Sequence, residues 1–443
     1  MIQKQQITDS VQIQLNKCYL GVDFGTTGCR AIVIDQDKEI IASATVSYQH
    51  QQTQSVTQEQ DPHLWWHSFK QLITQLNSKF DITSIGCLAL DATSGTVLLA
   101  NQNGEPISKA LMYNDARAEN ECSEIQKLVP NNAAIHSSSS GIAKMLWLRR
   151  HYQPKSSDKY LHQADWLVGQ LTGNYDITDY NNALKSGIDI TTKKWPFWIE
   201  SLGIFQQQLP IVTKPGTTVG LIKTALASQF GFSSQLRIVT GCTDSTAAVI
   251  ATGANKIGDA ITSLGSTLVV KIISDKAISN SGYGIYSQPY NGNYLVGGGS
   301  NSGGAVLKHF FSPSQMQQMS KLIKLKNSKP TGLNYYPLLQ NGERFPFNDA
   351  NHPALISPRP DNDVEFFKGL LEGITEIEYL CYQRLKELGC PKINKIYNMG
   401  GGSQNSVWTQ MRQSRLQIPI ITPDNTEAAY GAALLAHMSH IAE

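Results

Sequence analysis

The segment YLGVDFGTTGCRAIVID, residues 19–35, sets a pattern that returns later in the chain. Apolar residues flank Asp23–Gly28 on both sides, and this arrangement predicts a strand, a turn rich in Gly and Thr, and a second strand. The glycines let backbone amides approach a ligand closely, and Thr26 with Thr27 adds hydroxyl donors, so the turn suits a phosphate chain. A carboxylate beside phosphates needs a cation between them, so Asp23 predicts a Mg²⁺ site. The alternative is an ordinary tight hairpin with an aspartate at its shoulder.

The same plan occurs again in AITSLGSTLVVKIIS, residues 260–274. Strand-like residues again flank a short turn, Gly265-Ser266-Thr267, although no aspartate stands at its shoulder. Two copies of one supersecondary unit predict two similar α/β domains that face each other, each offering a hydroxyl-rich loop to one ligand. A length of 443 residues also favours two large domains over a single core.

The composition indicates small-molecule partners. Hydrophobic residues make up 41% of the chain and charged residues only 16%, with 37 Lys and Arg against 35 Asp and Glu. This balance gives no reason to expect nucleic acid or an anionic membrane as a partner. Seven scattered cysteines without a C-x-x-C pair argue against a disulfide framework or a zinc site and fit a reducing cytosol.

The N-terminal residues 1–16 lack the apolar core of a signal peptide, and we expect them to form a flexible leader. No run of apolar residues approaches the length needed for a transmembrane helix. The expected location is therefore the cytoplasm, with a plastid or another organelle left open.

Two further stretches combine carboxylates and hydroxyls where strands end. In residues 85–100, IGCLALDATSGTVLLA, two apolar strands flank Asp91–Thr96, whose three hydroxyls and carboxylate would suit a polyol. A well-capped turn explains the same residues. In residues 238–253, IVTGCTDSTAAVIATG, a strand leads into Asp244 at the start of a helix. Asp244 is either a plain helix cap or a general base that takes the proton of a hydroxyl attacking a γ-phosphate.

A glycine-rich turn near the end of the chain predicts a site for a flat ligand. Residues 393–398 read as a strand, the run Gly400–Gly402 follows as a turn, and Ser403 is expected to cap the next helix. Glycines at this point would let a planar base lie against the backbone. A flexible turn without a ligand is the alternative.

Taken together, DFGTTGCR, TGCTDSTAA, TSLGST and YNMGGGSQNSVW resemble motifs of the FGGY carbohydrate kinases, which belong to the superfamily of sugar kinases, actin and heat-shock chaperone ATPases. Within that family the chain most resembles the short xylulose-kinase-like proteins of cyanobacteria and plants that act as D-ribulose kinases. The similarity covers nearly everything from Tyr19 to His437. It implies two actin-like (ribonuclease H-like) domains with mixed sheets, flanking helices and a cleft between them.

The resemblance also implies domain bounds, ligands and assembly. Residues 17–251 with 427–443 would form the sugar-binding domain, and residues 252–426 the nucleotide-binding domain. The activity would be transfer of the γ-phosphoryl group of ATP, with Mg²⁺, to a terminal sugar hydroxyl. The expected partners are a small sugar and ATP, and the protein is expected to be a monomer or a homodimer.

The roles that the resemblance assigns fall into three groups. Asp244 would be the catalytic base, while Asp23 would take part in catalysis, order Mg²⁺ and contact the sugar. Further sugar contacts would come from Thr27, Gly28, Cys29, Arg30 and Ser94. Nucleotide and phosphate contacts would come from Thr26, Thr27, Gly265, Ser266, Thr267, Gly303, Gly304, Gly400, Gly401, Gly402, Ser403, Gln404, Asn405 and Trp408.

Departures from the family bear on the choice of sugar. The loop Asp91–Gly95 lacks the Arg-Glu pair of glycerol kinases and the Met-His pair of xylulose kinases, and it resembles the DAT sequence of ribulose kinases. This favours D-ribulose. Residues 113–117, YNDAR, are similar to the W-x-D-x-R sequence of longer family members. D-xylulose, L-ribulose and glycerol therefore stay open as substrates.

Two other protein classes compete with a sugar kinase. The actin-like fold also serves chaperones and filaments that hydrolyse ATP without phosphorylating a small substrate, but these do not need Ser94 or other polar cleft residues. A Rossmann dehydrogenase is disfavoured, because Gly297–Gly304 is not G-x-G-x-x-G and no suitable acidic residue follows a strand about 20 positions later.

Overall fold

The computed structural model describes residues 18–48, 58–130, 132–323 and 329–441. The predicted leader, residues 1–16, lies outside the described residues. The first half of the chain builds a domain on a six-stranded sheet. Its strands are β1 (Cys18–Phe24), β2 (Gly28–Ile34), β3 (Ile40–Ser47), β4 (Glu59–Gln60), β5 (Ile85–Ala92), β6 (Val97–Ala100), β7 (Ala110–Leu111), β8 (Lys159–His162), β9 (Ile177–Asp179), β10 (Ile211–Thr213), β11 (Thr218–Leu221) and β12 (Arg237–Thr243). Its helices are α1 (Pro62–Asn77), α2 (Glu119–Leu128), α3 (Gly141–Tyr152), α4 (Gln163–Thr172), α5 (Tyr180–Ala183), α6 (Trp198–Ser201), α7 (Thr224–Phe230) and α8 (Asp244–Ala251).

The second half builds a second domain on another six-stranded sheet. Its strands are β13 (Asp259–Leu264), β14 (Leu268–Ser274), β15 (Tyr286–Tyr290), β16 (Asn293–Gly299), β17 (Lys395–Met399) and β18 (Ile420–Ile421). Its helices are α9 (Gly304–Phe310), α10 (Pro313–Leu322), α11 (Asp363–Glu387) and α12 (Ser406–Leu416), and the final helix is α13 (Ala428–Ile441).

Five strands of each main sheet share one topology, and the sixth lies at opposite ends of the two sheets. In the first, β1, β2 and β3 form an antiparallel meander, and β5 and β12 continue the sheet parallel to β1. In the second, β13, β14 and β16 form the meander, and β17 and β18 continue it in parallel. An antiparallel edge strand, β11 or β15, completes each sheet. The predicted duplication, with its two glycine-containing hairpins, is confirmed.

The two strands predicted in residues 85–100 are confirmed, and they belong to different sheets. Both strands form, but β5 lies in the main sheet and β6 in a separate four-stranded sheet with the order β4-β7-β6-β8. The chain changes direction at the intervening turn, where Gly95 has a φ of 80°. A glycine tolerates that left-handed conformation without steric cost.

Helices α8 and α13 are packed between the two sheets. One buried cluster contains apolar residues of both sheets together with alanines of these two helices. The helices approach closely, since a Cβ added to Gly431 would lie 1.8 Å from the carbonyl oxygen of Ala247. Separate cores fill the outer side of each sheet, with α1 and α4 in the first domain and α11 in the second. No helix in the described ranges is both long and apolar enough to span a bilayer.

Candidate active site

Three carboxyl groups meet at one edge of the first sheet. Asp23 on β1 is the register partner of Asp91 on β5, and Asp91 is the partner of Cys242 on β12. Asp244 follows β12 directly as the first residue of α8. Strands β1, β5 and β12 end on the same side of the sheet, where ligands bind in open α/β sheets, so the three residues lie close together there. The sequence predicts Asp91 only as part of a polyol-binding loop, and its place beside Asp23 is not predicted because it arises from pairing between distant strands.

Asp244 is not the cap of its helix. Thr243 occupies the N-cap position of α8, so the plain-cap interpretation is wrong. Burial raises the pKa of Asp244 to about 6. Part of the rise is offset by the amide of Ser245, which donates to Oδ1 at 2.6 Å, and by the positive charges of Lys185 and Lys271. At neutral pH the carboxylate is mostly ionised and can accept a proton.

Asp91 and Asp23 form a pair with unequal proton affinities. Asp91 is completely buried, and neither of its carboxyl oxygens meets a donor in the described part of the chain. Burial and the negative charges of Asp23 and Asp244 raise the pKa of Asp91 well above its usual range. Burial also raises the pKa of Asp23, but a hydrogen bond from Asp91 and the charge of Arg30 counteract part of that rise. The proton of the pair therefore belongs mainly to Asp91.

The hydroxyls of the Asp91–Thr96 loop are not equivalent. Thr93 donates to Gln163 Oε1 at 2.8 Å, and its Oγ1 lies 2.6 Å from that of Thr96, with all three side chains buried. Ser94 is half-buried, and its hydroxyl makes no hydrogen bond within the described residues. Two of the three predicted polyol contacts are therefore used inside the fold, and Ser94 is the hydroxyl left for a ligand.

The first hairpin presents its turn to solvent. Thr26 and Thr27 are exposed there, and Gly28 begins β2. The thiol of Cys29 is buried in the core of the first domain, so a contact between Cys29 and a ligand would have to use the backbone. Arg30 forms an ion pair with Glu427, just before α13.

The second hairpin turn packs against the start of α9. Gly265 accepts a hydrogen bond from the amide of Gly304 at 2.9 Å, and Ser266 accepts one from Ala305 at 3.0 Å. Gly303 has a φ of 144°, and an added Cβ would lie 2.8 Å from the oxygen of Ser266. A side chain at residue 303 would push the turn away from the helix, which explains the glycine at this position.

A cavity of about 580 Å³ opens beside this second turn. Eight predicted nucleotide residues line it: Gly265, Ser266, Gly304, Gly401, Gly402, Gln404, Asn405 and Trp408. The predictions omitted lining residues on α9 and α10, among them Lys308, Met316, Gln317, Ser320 and Lys321. The cavity is not lined by four other predicted nucleotide residues: Thr267, Gly303, Gly400 and Ser403.

The predicted cap at Ser403 is wrong. Ser403 lies in a single 3₁₀ turn, where its hydroxyl donates to the carbonyl of Gly400 at 2.7 Å. Helix α12 begins three residues later, and Asn405 caps it by accepting from the amide of Trp408 at 3.1 Å. Asn405 also donates to Ser320 Oγ at 3.0 Å, which ties α12 to α10 across the cavity.

Two lysines, Lys185 and Lys271, act through their charges on Asp244, and the sequence alone predicts no role in the site for either. Lys185 follows the polar run 179–183 and passes beside Gly95, where an added Cβ would lie 3.4 Å from its Cδ. Lys271 interrupts the apolar strand β14 and is only 8% exposed. A lysine inside an otherwise apolar strand is a signal that sequence reasoning can use, because a buried charge requires a partner.

The donor set fits Mg²⁺ that arrives with a phosphate ligand. Mg²⁺ prefers oxygen ligands and usually combines one or two carboxylates with water and phosphate oxygens. Asp23 supplies such a carboxylate just before the turn that carries Thr26 and Thr27, and the buried carboxyl group of Asp91 is its register partner. Among the described residues no cluster of three or more His, Cys, Asp or Glu forms a protein-only metal site.

Comparisons with known proteins agree on one family. The models of the N-terminal and C-terminal domains of the FGGY family of carbohydrate kinases match residues 18–251 and 260–440. The chain is 23% identical to the xylulose kinase of Staphylococcus xylosus over 438 residues, which cover 95% of this chain and 90% of that protein. Two structures from Lactobacillus acidophilus, a gluconate kinase and a ligand-bound xylulose kinase, each have a TM-score of 0.84 at 22% identity and cover 96% of this chain and 90% of their own. Kinases named for different sugars share this fold, so the fold alone does not identify the sugar.

Proposed function

Because the chain belongs to the FGGY family of carbohydrate kinases, we propose that it transfers the γ-phosphoryl group of ATP to the terminal 5-hydroxyl of a ketopentose, D-ribulose. The observation that carries this proposal is the position of Asp244. Its carboxylate is ionised at neutral pH and lies at the same sheet edge as Asp23. The turn rich in hydroxyls that follows Asp23 would face the phosphates.

Asp244 acts as the general base of this reaction. Its carboxylate takes the proton of the sugar hydroxyl while the hydroxyl oxygen bonds to the γ-phosphorus and the bond to the bridging oxygen of ADP breaks. Mg²⁺, when bound with ATP, supplies positive charge that offsets the phosphates, and Asp23 is the residue that would hold it. Thr26, Thr27 and the amide of Gly28 approach the phosphates from the first domain.

The second domain binds the nucleotide. Gly265, Ser266 and Thr267 approach the phosphates, and the cavity beside Trp408 takes the adenosine. Closure of the two domains would exclude water, which otherwise competes with the sugar as the nucleophile. We assign residues 17–251 with 427–443 to the sugar-binding domain and 252–426 to the nucleotide-binding domain, which is supported by the packing of α13 against β1 and α8.

Ser94 and the sequence around it favour D-ribulose. Ser94 is the free hydroxyl of its loop, and a sugar hydroxyl could bond to it without breaking an existing contact. D-xylulose is the second candidate, because the xylulose kinase of Staphylococcus xylosus aligns with nearly the whole chain. The Met-His pair that the resemblance leads us to expect in xylulose kinases is absent from this loop.

The proposal is tested by ADP release with ATP and Mg²⁺ in the presence of D-ribulose, L-ribulose, D-xylulose, L-xylulose, glycerol or no sugar. We expect strong turnover with D-ribulose and identification of the 5-phosphate by mass spectrometry and NMR. A preference for D-xylulose would replace the substrate, and equal ADP release without sugar would overturn the kinase assignment in favour of an ATPase.

The role of Asp244 is tested separately by Asp244→Asn. We expect kcat to fall about 10²- to 10⁴-fold, the usual contribution of a general base. Ser245→Ala is the matched control, since Ser245 is an exposed neighbour on the same helical turn. Turnover near the wild-type level in Asp244→Asn would remove Asp244 from the role of base.

A further inference from the structure

Strand β15 of the second domain is bonded directly to the first domain. Gln288 donates from its side-chain amide to Thr246 Oγ1 on α8. Two residues later, the hydroxyl of Tyr290 donates to the carbonyl of Ala254 at 2.7 Å, just beyond the other end of α8. The first turn of the helix that begins with Asp244 is therefore bonded to a strand of the opposite domain, and the same strand bonds the segment that follows the helix.

The bond at Gln288 is one link of a longer buried chain. Lys271 Nζ donates to Gln288 Oε1 at 2.9 Å, and Thr246 Oγ1 lies 2.8 Å from Thr243 Oγ1. Since Thr246 accepts from the Gln288 amide, its own proton is available for Thr243. All four side chains are at most 8% exposed. A charged donor at one end polarises the amide and strengthens the bonds beyond it.

This series of hydrogen bonds ends on Thr246 and Thr243, which lie on either side of Asp244 in the sequence. Thr243 is the N-cap residue of α8 and Thr246 is its third residue. The hydroxyl of Thr243 makes no capping bond to the helix, because it is engaged with Thr246 instead. The backbone on both sides of Asp244 is thus fixed by a contact that originates in the second domain.

We propose that Gln288 and Lys271 are positioning residues for Asp244: through Thr246 and Thr243 they hold the first turn of α8 so that the carboxylate faces the sugar hydroxyl. This inference rests on the proposed function, in which Asp244 is the base. The base is correctly oriented only while β15 is docked on α8. Phosphoryl transfer is thereby linked to the arrangement of the two domains.

Lys271 also acts on Asp244 through its charge. Its positive charge favours the ionised carboxylate and lowers the pKa of Asp244, so loss of the charge raises that pKa. The other titratable or charged groups that interact electrostatically with Asp244 are Asp23, Asp91, Cys242 and Lys185. Lys271→Met therefore moves the acid limb of the pH profile of kcat to higher pH.

The decisive variants are Thr246→Val and Thr246→Ser in the full-length enzyme. Valine has nearly the shape of threonine but cannot bond to Gln288, whereas serine keeps the hydroxyl. With saturating ATP, we expect Thr246→Val to lower kcat on the order of 10- to 100-fold, as misplaced catalytic groups do. The KM for the sugar stays within about twofold, and Thr246→Ser restores most of the kcat.

Gln288→Leu tests the same link from the other domain, and Tyr290→Phe is its matched control. Tyr290→Phe removes a buried hydrogen bond of the same strand but leaves the chain of bonds to Thr246 intact. We expect Gln288→Leu to reproduce the loss of kcat and Tyr290→Phe to keep wild-type kcat. Equal losses in both variants would mean that loss of any side-chain bond of β15 suffices and would overturn the positioning role.

The role of Asp244 as the base and the positioning role of Gln288 and Lys271 are refuted by different results. If Asp244→Asn is inactive but Thr246→Val keeps wild-type kcat, the positioning role is overturned and the proposed function stands. If Asp244→Asn remains active, the assignment of the base fails first, whatever the Thr246 variants show. If Thr246→Val and Thr246→Ser lower kcat equally, the hydroxyl does not matter, because serine keeps it, and its role is overturned.

Discussion

A buried ion pair between α11 and α12, the helix whose first residues line the cavity beside Gly265, gives a quantitative prediction. Arg412 on α12 and Glu378 on α11 are 0% and 1% exposed. Arg412 Nε and Nη2 donate to the two carboxylate oxygens of Glu378 at 2.6 and 2.7 Å, and Nη1 donates to Asn398 Oδ1 at 2.7 Å. Thr262 donates its hydroxyl to the same carboxylate at 2.6 Å. The pair thus joins two helices to strands β13 and β17.

The size of the effect follows from this burial. Removing one partner leaves an uncompensated buried charge, which costs about 3–5 kcal/mol. Replacing both partners with apolar residues of similar volume is often nearly neutral. We therefore expect Glu378→Leu and Arg412→Met each to lower the stability of the second domain by about 3–5 kcal/mol, a large share of a typical total of about 5–15 kcal/mol. The double variant should lose no more than either single variant.

The control lies on the same two helices. Arg415 donates to both oxygens of Glu376 at 2.7 and 2.9 Å, but both side chains are well exposed. Breaking this pair with Glu376→Leu should cost less than about 1 kcal/mol, because solvent screens the charges.

Local stability is best measured by hydrogen exchange of α11 and α12, since a two-domain chain need not unfold in one step. The nucleotide dissociation constant serves as a second readout, because α12 lines the cavity. Equal losses from the buried and the exposed pair, or additive losses in the Glu378→Leu, Arg412→Met double variant, would show that burial does not set the cost of breaking the pair.

Three further predictions concern the site itself. The kcat should fall as pH decreases through about 6, because protonated Asp244 cannot accept a proton; a pH profile that is flat through this range would contradict its pKa. Gly402→Ala should weaken ATP binding, measured by calorimetry, because the added Cβ would meet neighbouring atoms at 2.7 and 2.8 Å, whereas Gly401→Ala meets nothing within 4 Å and should bind normally. Ser94→Ala should raise the KM for the sugar by about 2- to 10-fold, as expected for one lost hydrogen bond, with the KM for ATP unchanged as the internal control.

Local sequence pattern predicts much of this molecule. Alternating apolar residues around Gly and Thr are sufficient for both hairpins, and Asp61 with Pro62 predicts the start of α1, where Asp61 accepts from the amide of His63. Each of these signals lies within a few residues of the structure that it predicts. The cap of α12 is an instructive failure, since both Ser403 and Asn405 are good cap residues and the 3₁₀ turn decides between them.

Features made by distant contacts leave little trace in the sequence. Asp91 belongs with Asp23 because β1 pairs with β5, and Ser94 is distinguished from Thr93 only by the position of Gln163 on α4. The bond between Gln288 and Thr246 depends on how the two domains pack; Thr246 lies in the TGCTDSTAA stretch, but nothing in that stretch indicates Gln288 as its partner. Strand register and the packing of the two domains bring these pairs of residues together, and the sequence around each residue does not reveal its partner.

The place of α13 also has a consequence for the order in which the protein is made. This helix covers β1 and α8 in the first domain, yet the ribosome synthesises it after the whole second domain. Most multidomain chains complete their N-terminal domain first, while translation continues. In this chain the apolar face of the first sheet must wait for Ala429, Ala432 and Ala433 to emerge. A nascent chain that stalls before α13 therefore leaves this face of the first sheet uncovered, whereas the outer core of the second domain contains no residue of α13.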